Sequence, residues 1–334
     1  MKVSIISERE YNNAAYWHVV HEWEDVFSEY FELTCISNKL IIFKRKLKDY
    51  CHNRRPNLFN KIFINSKSFK FNGKAIKLGF VMNAKSYKLY TQKNFIPIFL
   101  DFTCSEIDKI VDATKSLPFF YVTCYALYEE ILNRKCDNVR YIPLSISDKY
   151  YSAEIPEKRV DVIQFGRKNE VLHNFMLEYC SKHPEVEYVY QSDGVKLTYV
   201  STQRGDLGSV ETRKEHLQFM SECKVSLVSS PAVDGTRSFG EGIDFISPRF
   251  YESAVNYCYM LGRYTENEEA NILQVSSVCE NVKSYEQFES CLDAYLGVEE
   301  FSKKQEFNDF LKKNLTSERC KKIKADIECY KNKL

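Results

Sequence analysis

Twice along this chain, short apolar runs alternate with amphipathic stretches, and the rhythm breaks once near the middle. In the first half the strand-like runs are Lys2–Ser7, Phe31–Ser37, Ile76–Met82, Phe95–Phe102, Phe119–Thr123 and Val139–Pro143. Helical stretches such as Trp17–Tyr30, Cys104–Lys115 and Ala126–Asn133 fall between them. Apolar runs bounded by turn or charged residues suit parallel strands covered by helices on both faces. From Ile142 to Glu157 the texture turns polar, and the domain boundary is expected there. The alternation then restarts. Strands are expected at Val160–Phe165, Glu187–Gln191, Lys196–Ser201, Val225–Ser229, Tyr259–Gly262 and Val275–Cys279. Helices are expected near Val171–Lys182, His216–Cys223, Pro248–Tyr257 and Tyr285–Leu296, and the tail Phe301–Leu334 reads as two polar amphipathic helices. Alternating β and α elements specify an α/β fold. The expectation is two Rossmann-like domains, residues 1–150 and 151–300, followed by the helices of residues 301–334. Ligands of such sheets bind beyond the carboxyl ends of the strands, so two domains would face one cleft.

At 334 residues the chain is longer than one hydrophobic core usually accommodates, which agrees with two domains. Charge follows Val3–Ile6 at once, with Glu8, Arg9 and Glu10, so no signal-peptide core is expected, and no apolar run approaches a membrane span. The 12 cysteines show no CxxC pairing, which argues against a zinc site and for a reduced, cytoplasmic setting. A net charge of +1 hides an asymmetry: Lys39–Lys93 holds 15 Lys or Arg against one acid, Asp49, a formal +14 that leaves −13 for the rest. Aromatics are interleaved through that block, including Phe43, Tyr50, Phe63, Phe69 and Tyr87. Basic and aromatic side chains together suit an anionic membrane surface, with nucleic acid as the competing partner.

Two constellations carry chemistry. The first is Phe165-Gly166-Arg167-Lys168-Asn169, straight after a strand, where glycine permits a sharp turn and the two cations can meet phosphates. The second runs from Gly240 through Asp244 and Ser247-Pro248-Arg249 to Glu252. Ser followed by Pro marks a helix start, with Ser247 as N-cap and Pro248 as first helical residue. That helix end favours a phosphate, Arg249 can counter a diphosphate, and Glu252 can accept hydrogen bonds from ribose hydroxyls.

Asp244-x7-Glu252 resembles the E-x7-E motif of retaining GT-B glycosyltransferases, with Asp in place of the first Glu. Phe165-Gly166-Arg167 resembles the turn that opens their donor domain, and Ile142-Pro143-Leu144-Ser145 resembles their interdomain segment. The resemblance is to family-four and family-one-like retaining enzymes of surface polysaccharide biosynthesis, such as those of lipopolysaccharide. It implies a donor site of Gly166, Arg167, Lys168, Ser247, Pro248, Arg249 and Glu252, with Asp244 on the donor sugar. It also implies a GT-B fold with an N-terminal acceptor domain, a C-terminal donor domain and helices 301–334 crossing back to the first. A nucleotide-diphosphate sugar as donor, a glycan or lipid-linked acceptor, and neither cofactor nor metal are implied with it.

On the acceptor side, His18 and His21 sit in the helix after the first strand, and Asp101 ends a strand. His18 and Asp101 are candidates for deprotonating or orienting an acceptor hydroxyl, and His21 is a further one; the alternative for each histidine is a packed or surface helix residue, and for Asp101 a helix cap. The reading is then a cytoplasmic glycosyltransferase, peripheral at the inner membrane face through Lys39–Lys93, with no nucleic acid expected. A nucleotide-sugar 2-epimerase of the same fold and a nucleic-acid-binding protein are the alternatives.

Overall fold

The computed structural model describes residues 3–7, 9, 17–35, 75–81, 94–100, 106–192, 197–235 and 243–332. Asp101, Gly240, most of the Lys39–Lys93 block and the residues just before Trp17 lie outside the described residues. The chain divides into two compact units. One comprises Met1–Thr123, Tyr128–Ile142 and Lys324–Leu334; the other comprises Cys124–Leu127 and Pro143–Ile323.

The first unit is built on a six-stranded sheet of β1 (Val3–Ser7), β2 (Glu32–Cys35), β3 (Ile76–Val81), β4 (Phe95–Phe99), β5 (Phe120–Val122) and β6 (Val139–Tyr141). Its order is β2-β1-β3-β4-β5-β6, and every pairing is parallel. Parallel strands require crossovers, which here include α1 (His18–Phe27), α2 (Ile107–Thr114) and α3 (Tyr125–Asn133). β4 is buried along its whole length, as a central strand covered on both faces should be. Pro97 within it cannot donate to a ladder, and pairing with β5 begins only at Ile98. α1 turns its apolar stripe to the sheet, where Trp23 and Phe27 both meet Phe80, at ring separations of 5.8 and 5.7 Å. The segment from Lys324 is held by Asp326, which accepts from Tyr121 Oη at 2.8 Å and pairs with Arg140 at 2.9 Å.

The second unit holds β7 (Val160–Gln164), β8 (Tyr188–Gln191), β9 (Thr198–Ser201), β10 (Gly205–Ser209), β11 (Cys223–Ser229), β12 (Tyr259–Arg263) and β13 (Cys279–Asn281). Their order is β10-β9-β8-β7-β11-β12-β13. Strands β8 to β13 in that order are parallel, while β9 and β10 add an antiparallel edge. The helices are α4 (Glu170–Lys182), α5 (Arg213–Ser221), α6 (Pro248–Val255), α7 (Glu268–Leu273), α8 (Tyr285–Gly297), α9 (Lys304–Asn314) and α10 (Thr316–Lys331), the last of which belongs to the first unit from Lys324 on. Successive strand residues point to opposite faces, so the sheet carries two cores. Val162, Leu227, Leu261 and Phe288 belong to one, and Ile163, Val189, Tyr199 and Met220 to the other. Arg319 in α10 fastens the segment that follows β6 by donating to the carbonyls of Pro143, at 3.1 Å, and Leu144, at 3.2 Å.

Three expectations need correction. The stretch of Arg204, Gly205, Asp206 and Gly208, whose sequence reads as a polar loop, runs into strand β10, which is bulged between Asp206 and Gly208 and almost wholly exposed. Helix α5 begins three residues before His216, because Thr212 and Glu215 form a capping box. Val275–Ser277 is a 3-10 turn, and the strand that follows it is Cys279–Asn281.

Gly262 in β12 is packed to the limit. A Cβ there would lie 2.5 Å from Cys279 Sγ and 3.3 Å from the Val228 carbonyl. Gly262→Ala should therefore destabilise the protein by about 1–3 kcal/mol. Urea unfolding measures this, and a loss below about 0.5 kcal/mol would contradict the packing described.

Candidate functional site: the carboxyl ends of β7 and β11

In the second unit the chain proceeds from β7 to β8 on one side and reaches β11 on the other, so the strand order reverses between β7 and β11. Loops leaving the carboxyl ends at such a point diverge and open a crevice. Two sequence constellations meet there. Gly166, straight after β7, has φ of +71°, a conformation that disfavours any side chain. It lies against Arg249, whose guanidinium carbon would sit 3.7 Å from a Cβ on Gly166. The Gly166 N–H donates to Tyr199 Oη at 3.1 Å. Asn169 closes the loop by capping α4, accepting from the Leu172 N–H at 3.0 Å.

Arg249 is the second residue of α6 and donates through Nη1 to the Arg167 carbonyl at 3.0 Å. It is half-buried, and among the described residues no carboxylate lies within ion-pair reach of it. Burial pulls its pKa down, Glu252 opposes that, and neighbouring Arg167 adds to the lowering. Arginine keeps its charge regardless. The imbalance means that an anion beside it is electrostatically favoured. Arg167 is exposed and Lys168 half-buried, the Lys168 ammonium lying 5.2 Å from the centre of the Tyr190 ring. Ser247 occupies the N-cap position with Pro248 next, but its side chain makes no cap hydrogen bond. Its hydroxyl donates instead to the Ser229 carbonyl at 3.4 Å. The expected side-chain cap is therefore absent, which leaves the start of α6 to another acceptor.

Glu252, one turn along α6, is 3 % exposed. It pairs with Arg213, and His216 Nε2 lies 3.3 Å from its Oε2. Burial raises its carboxyl pKa, but the attraction of Arg213 and His216 outweighs burial, and the group ends well below the usual carboxylate range. The His216 ring stacks on Phe165 with centroids 3.7 Å apart and planes 15° from parallel, so the carboxylate and the Gly166 turn share a wall.

Asp244 is buried and its carboxylate is already occupied. It accepts from Ser230 Oγ at 2.5 Å, the Ala232 N–H at 3.0 Å and Thr265 Oγ1 at 2.6 Å. It thus ties together the segments after β11 and β12. Asp234, at φ of +53°, makes a similar tie. It accepts from Asn169 Nδ2 at 2.9 Å and pairs with Arg263, whose Nη2 is 2.7 Å from its Oδ1.

In the first unit, His18 opens α1, half-buried, its ring 6.2 Å from that of His21. Burial, with Arg9 and His18 nearby, lowers the pKa of His21. At the carboxyl end of β1, Ser7 donates to Glu24 at 2.8 Å, and Arg9 bridges Glu24 and Asp25 at 3.1 and 2.6 Å. Burial pushes the Glu24 carboxyl up to about 7 against the opposing pull of Ser7 and Arg9. Among the described residues, no group of three or more His, Cys, Asp or Glu is arranged to hold a metal ion.

The structure therefore gathers Gly166, Arg167, Lys168, Ser247, Pro248, Arg249 and Glu252 around the ends of β7 and β11. Asp244 is nearby but committed to its loop. Arg213, His216, Asp234, Tyr199 and Arg263 carry no site role in the sequence reading, and Asn169 enters it only as the end of the turn after β7. The Thr212-x-x-Glu215 signature is the sequence signal that would have started this helix at Arg213, bringing Arg213 and His216 onto one helix.

A depressed carboxylate contributes stability above its unfolded value, and that contribution is lost as pH falls through its folded value. The stability difference between the protein and its Glu252→Gln variant should therefore be largest near pH 7 and shrink from pH 5 towards pH 3. Urea titrations across that range check it, and a pH-independent difference would contradict the buried ion pair.

No protein-family model and no curated protein matches the sequence. Solved structures do resemble it. AviGT4, a glycosyltransferase involved in avilamycin A biosynthesis, superposes with a TM-score of 0.51 at 11 % identity over 99 % of this chain and 97 % of its own. The α,α-trehalose 6-phosphate synthase from Burkholderia multivorans gives 0.50 at 13 % identity over 76 % and 70 %. TarM gives 0.50 at 10 % identity over 74 % of this chain, which spans 53 % of TarM. With its two Rossmann-like units, this chain has the GT-B fold of glycosyltransferases.

Proposed function

We propose that this protein is a glycosyltransferase that moves a sugar from a nucleotide-diphosphate sugar to a glycan or lipid-linked acceptor. The observation that carries the reading is Arg249. It stands half-buried at the start of α6, against a glycine turn, with no carboxylate partner among the described residues. The GT-B fold adds weight, since AviGT4, a glycosyltransferase, is among the solved structures that resemble the chain.

In this reading charge accumulates on the diphosphate as the bond to the anomeric carbon breaks. Arg249, Arg167 and Lys168 meet that charge together with the N-terminus of α6 at Ser247 and Pro248. These groups take the part that a divalent cation plays elsewhere, so the reaction proceeds without metal. Gly166 lets the backbone approach the phosphates, and Glu252 accepts from the ribose hydroxyls. Asp244 serves the sugar end by holding together the segments at Ser230–Ala232 and Thr265, which follow β11 and β12. The likeness of Asp244-x7-Glu252 to E-x7-E favours retention at the anomeric carbon. His18 and Asp101 are the candidates for steering the acceptor hydroxyl. Attachment to an anionic inner membrane surface falls to the basic and aromatic Lys39–Lys93 segment; no helix among the described residues is long and apolar enough to cross a membrane.

Thermal denaturation of the whole protein with UDP, GDP, ADP and their sugar conjugates, with EDTA present, tests this. One base should be selected, and a hundredfold excess over its dissociation constant should add about 2.7 kcal/mol. Arg249→Ala should weaken that binding at least tenfold. A folded protein that shifts with none of these ligands contradicts the proposal.

A further inference from the structure

We infer that Arg213 and His216 are positioning residues that aim the Glu252 carboxylate at a vicinal diol, the ribose of the bound nucleotide. The inference rests on the donor site proposed above and goes beyond it, by assigning ribose selectivity to two side chains of α5.

An ionised carboxylate has two oxygens and roughly four acceptor positions. Arg213 takes a position on Oε1, and His216 faces Oε2 at 3.3 Å. Among the described residues no further donor meets either oxygen, and two neighbouring acceptors match the spacing of two neighbouring hydroxyls. The pairing also answers the cost of burial. Glu252 is 4 % exposed at its side chain, and without partners it would be driven to the protonated form, which accepts poorly. Arg213 and His216 keep it charged and restrict its rotation.

Their own positions are secured. Thr212 Oγ1 accepts from the Glu215 N–H at 3.2 Å, and Glu215 Oε2 accepts from the Thr212 N–H at 2.9 Å, which fixes the first turn of α5. Arg213 and His216 are three residues apart on that helix, so they share a face. The Arg213 guanidinium lies 5.9 Å from the centre of the Tyr150 ring, and the His216 ring lies flat on Phe165. The stack on Phe165 links this pair to the turn at Gly166. Ribose and diphosphate would then be read by adjoining parts of one rigid wall.

The test is calorimetric titration of the whole protein with UDP, GDP and ADP and with their 2′-deoxy counterparts. The protein should prefer the ribonucleotide of its selected base about tenfold or more, as hydrogen bonds to a charged acceptor allow. Arg213→Met should reduce that preference to about twofold while the deoxy form binds as before, because the phosphate contacts are untouched. His216→Phe is the second variant: it keeps an aromatic ring over Phe165, removes the ring nitrogen that faces Glu252, and should narrow the preference in the same way. A preference that survives in both variants overturns the inference, as does equal weakening of ribo and deoxy forms, which marks a merely structural role. A protein that binds nucleotides without ribose preference also overturns it. Absence of any nucleotide binding in the unaltered protein is a failure of the donor-site reading itself, and is thereby distinguishable.

Discussion

The placement of β7 between β8 and β11 is the constraint on which the chemistry of the second unit depends. Parallel strands cannot be joined by hairpins, so every connection crosses a face of the sheet and every loop of one kind leaves from the same edge. Where the order reverses, the loops part and leave an opening. The Gly166 turn and the start of α6 border this opening because β7 and β11 are neighbours, paired at Val162 with Val225 and Ile163 with Ser226. A sequence that moved either strand would separate Arg249 from the glycine turn it packs against.

Charge balance around that opening is uneven, and the unevenness has a direction. Acidic groups near it are committed: Glu252 to Arg213 and His216, Asp234 to Arg263, and Asp244 to hydroxyl and amide donors. Arg249 donates instead to a carbonyl. Cations at the crevice mouth thus outnumber the carboxylates free to answer them among the described residues. Such a surface attracts an anion, and the uncapped start of α6 adds oriented N–H dipoles. The first unit distributes its charge differently: Glu24 is buried beside Arg9, its carboxyl pushed up to about 7.

Much of this was legible in the sequence, and the exceptions have physical reasons. Central strands such as β4 and β11 read clearly because burial on both faces favours apolar and β-branched residues, as in Phe95–Phe99 and at Val225, Leu227 and Val228. The Gly166 turn and the Ser247-Pro248 helix start were legible because backbone geometry there permits few residue types. Strand β10 was not, because an exposed edge needs no apolar side chains and Gly205 and Gly208 read as a loop. Ser247 was expected to cap α6 with its hydroxyl, but the carbonyl of Ser229 competes for it. The pairing of Arg213 with Glu252 spans 39 positions, and no local pattern encodes it. Asp244 looked free to meet a sugar because its three partners come from segments distant in sequence.

Amide hydrogen exchange of the whole protein, with and without the nucleoside diphosphate that stabilises it most, tests the central claim most directly. The account predicts slowed exchange in peptides covering residues 165–170 and 247–253, where the glycine turn and the start of α6 meet the diphosphate, with β4 unchanged. Protection confined to other segments, or none at saturating UDP, GDP or ADP, would contradict it.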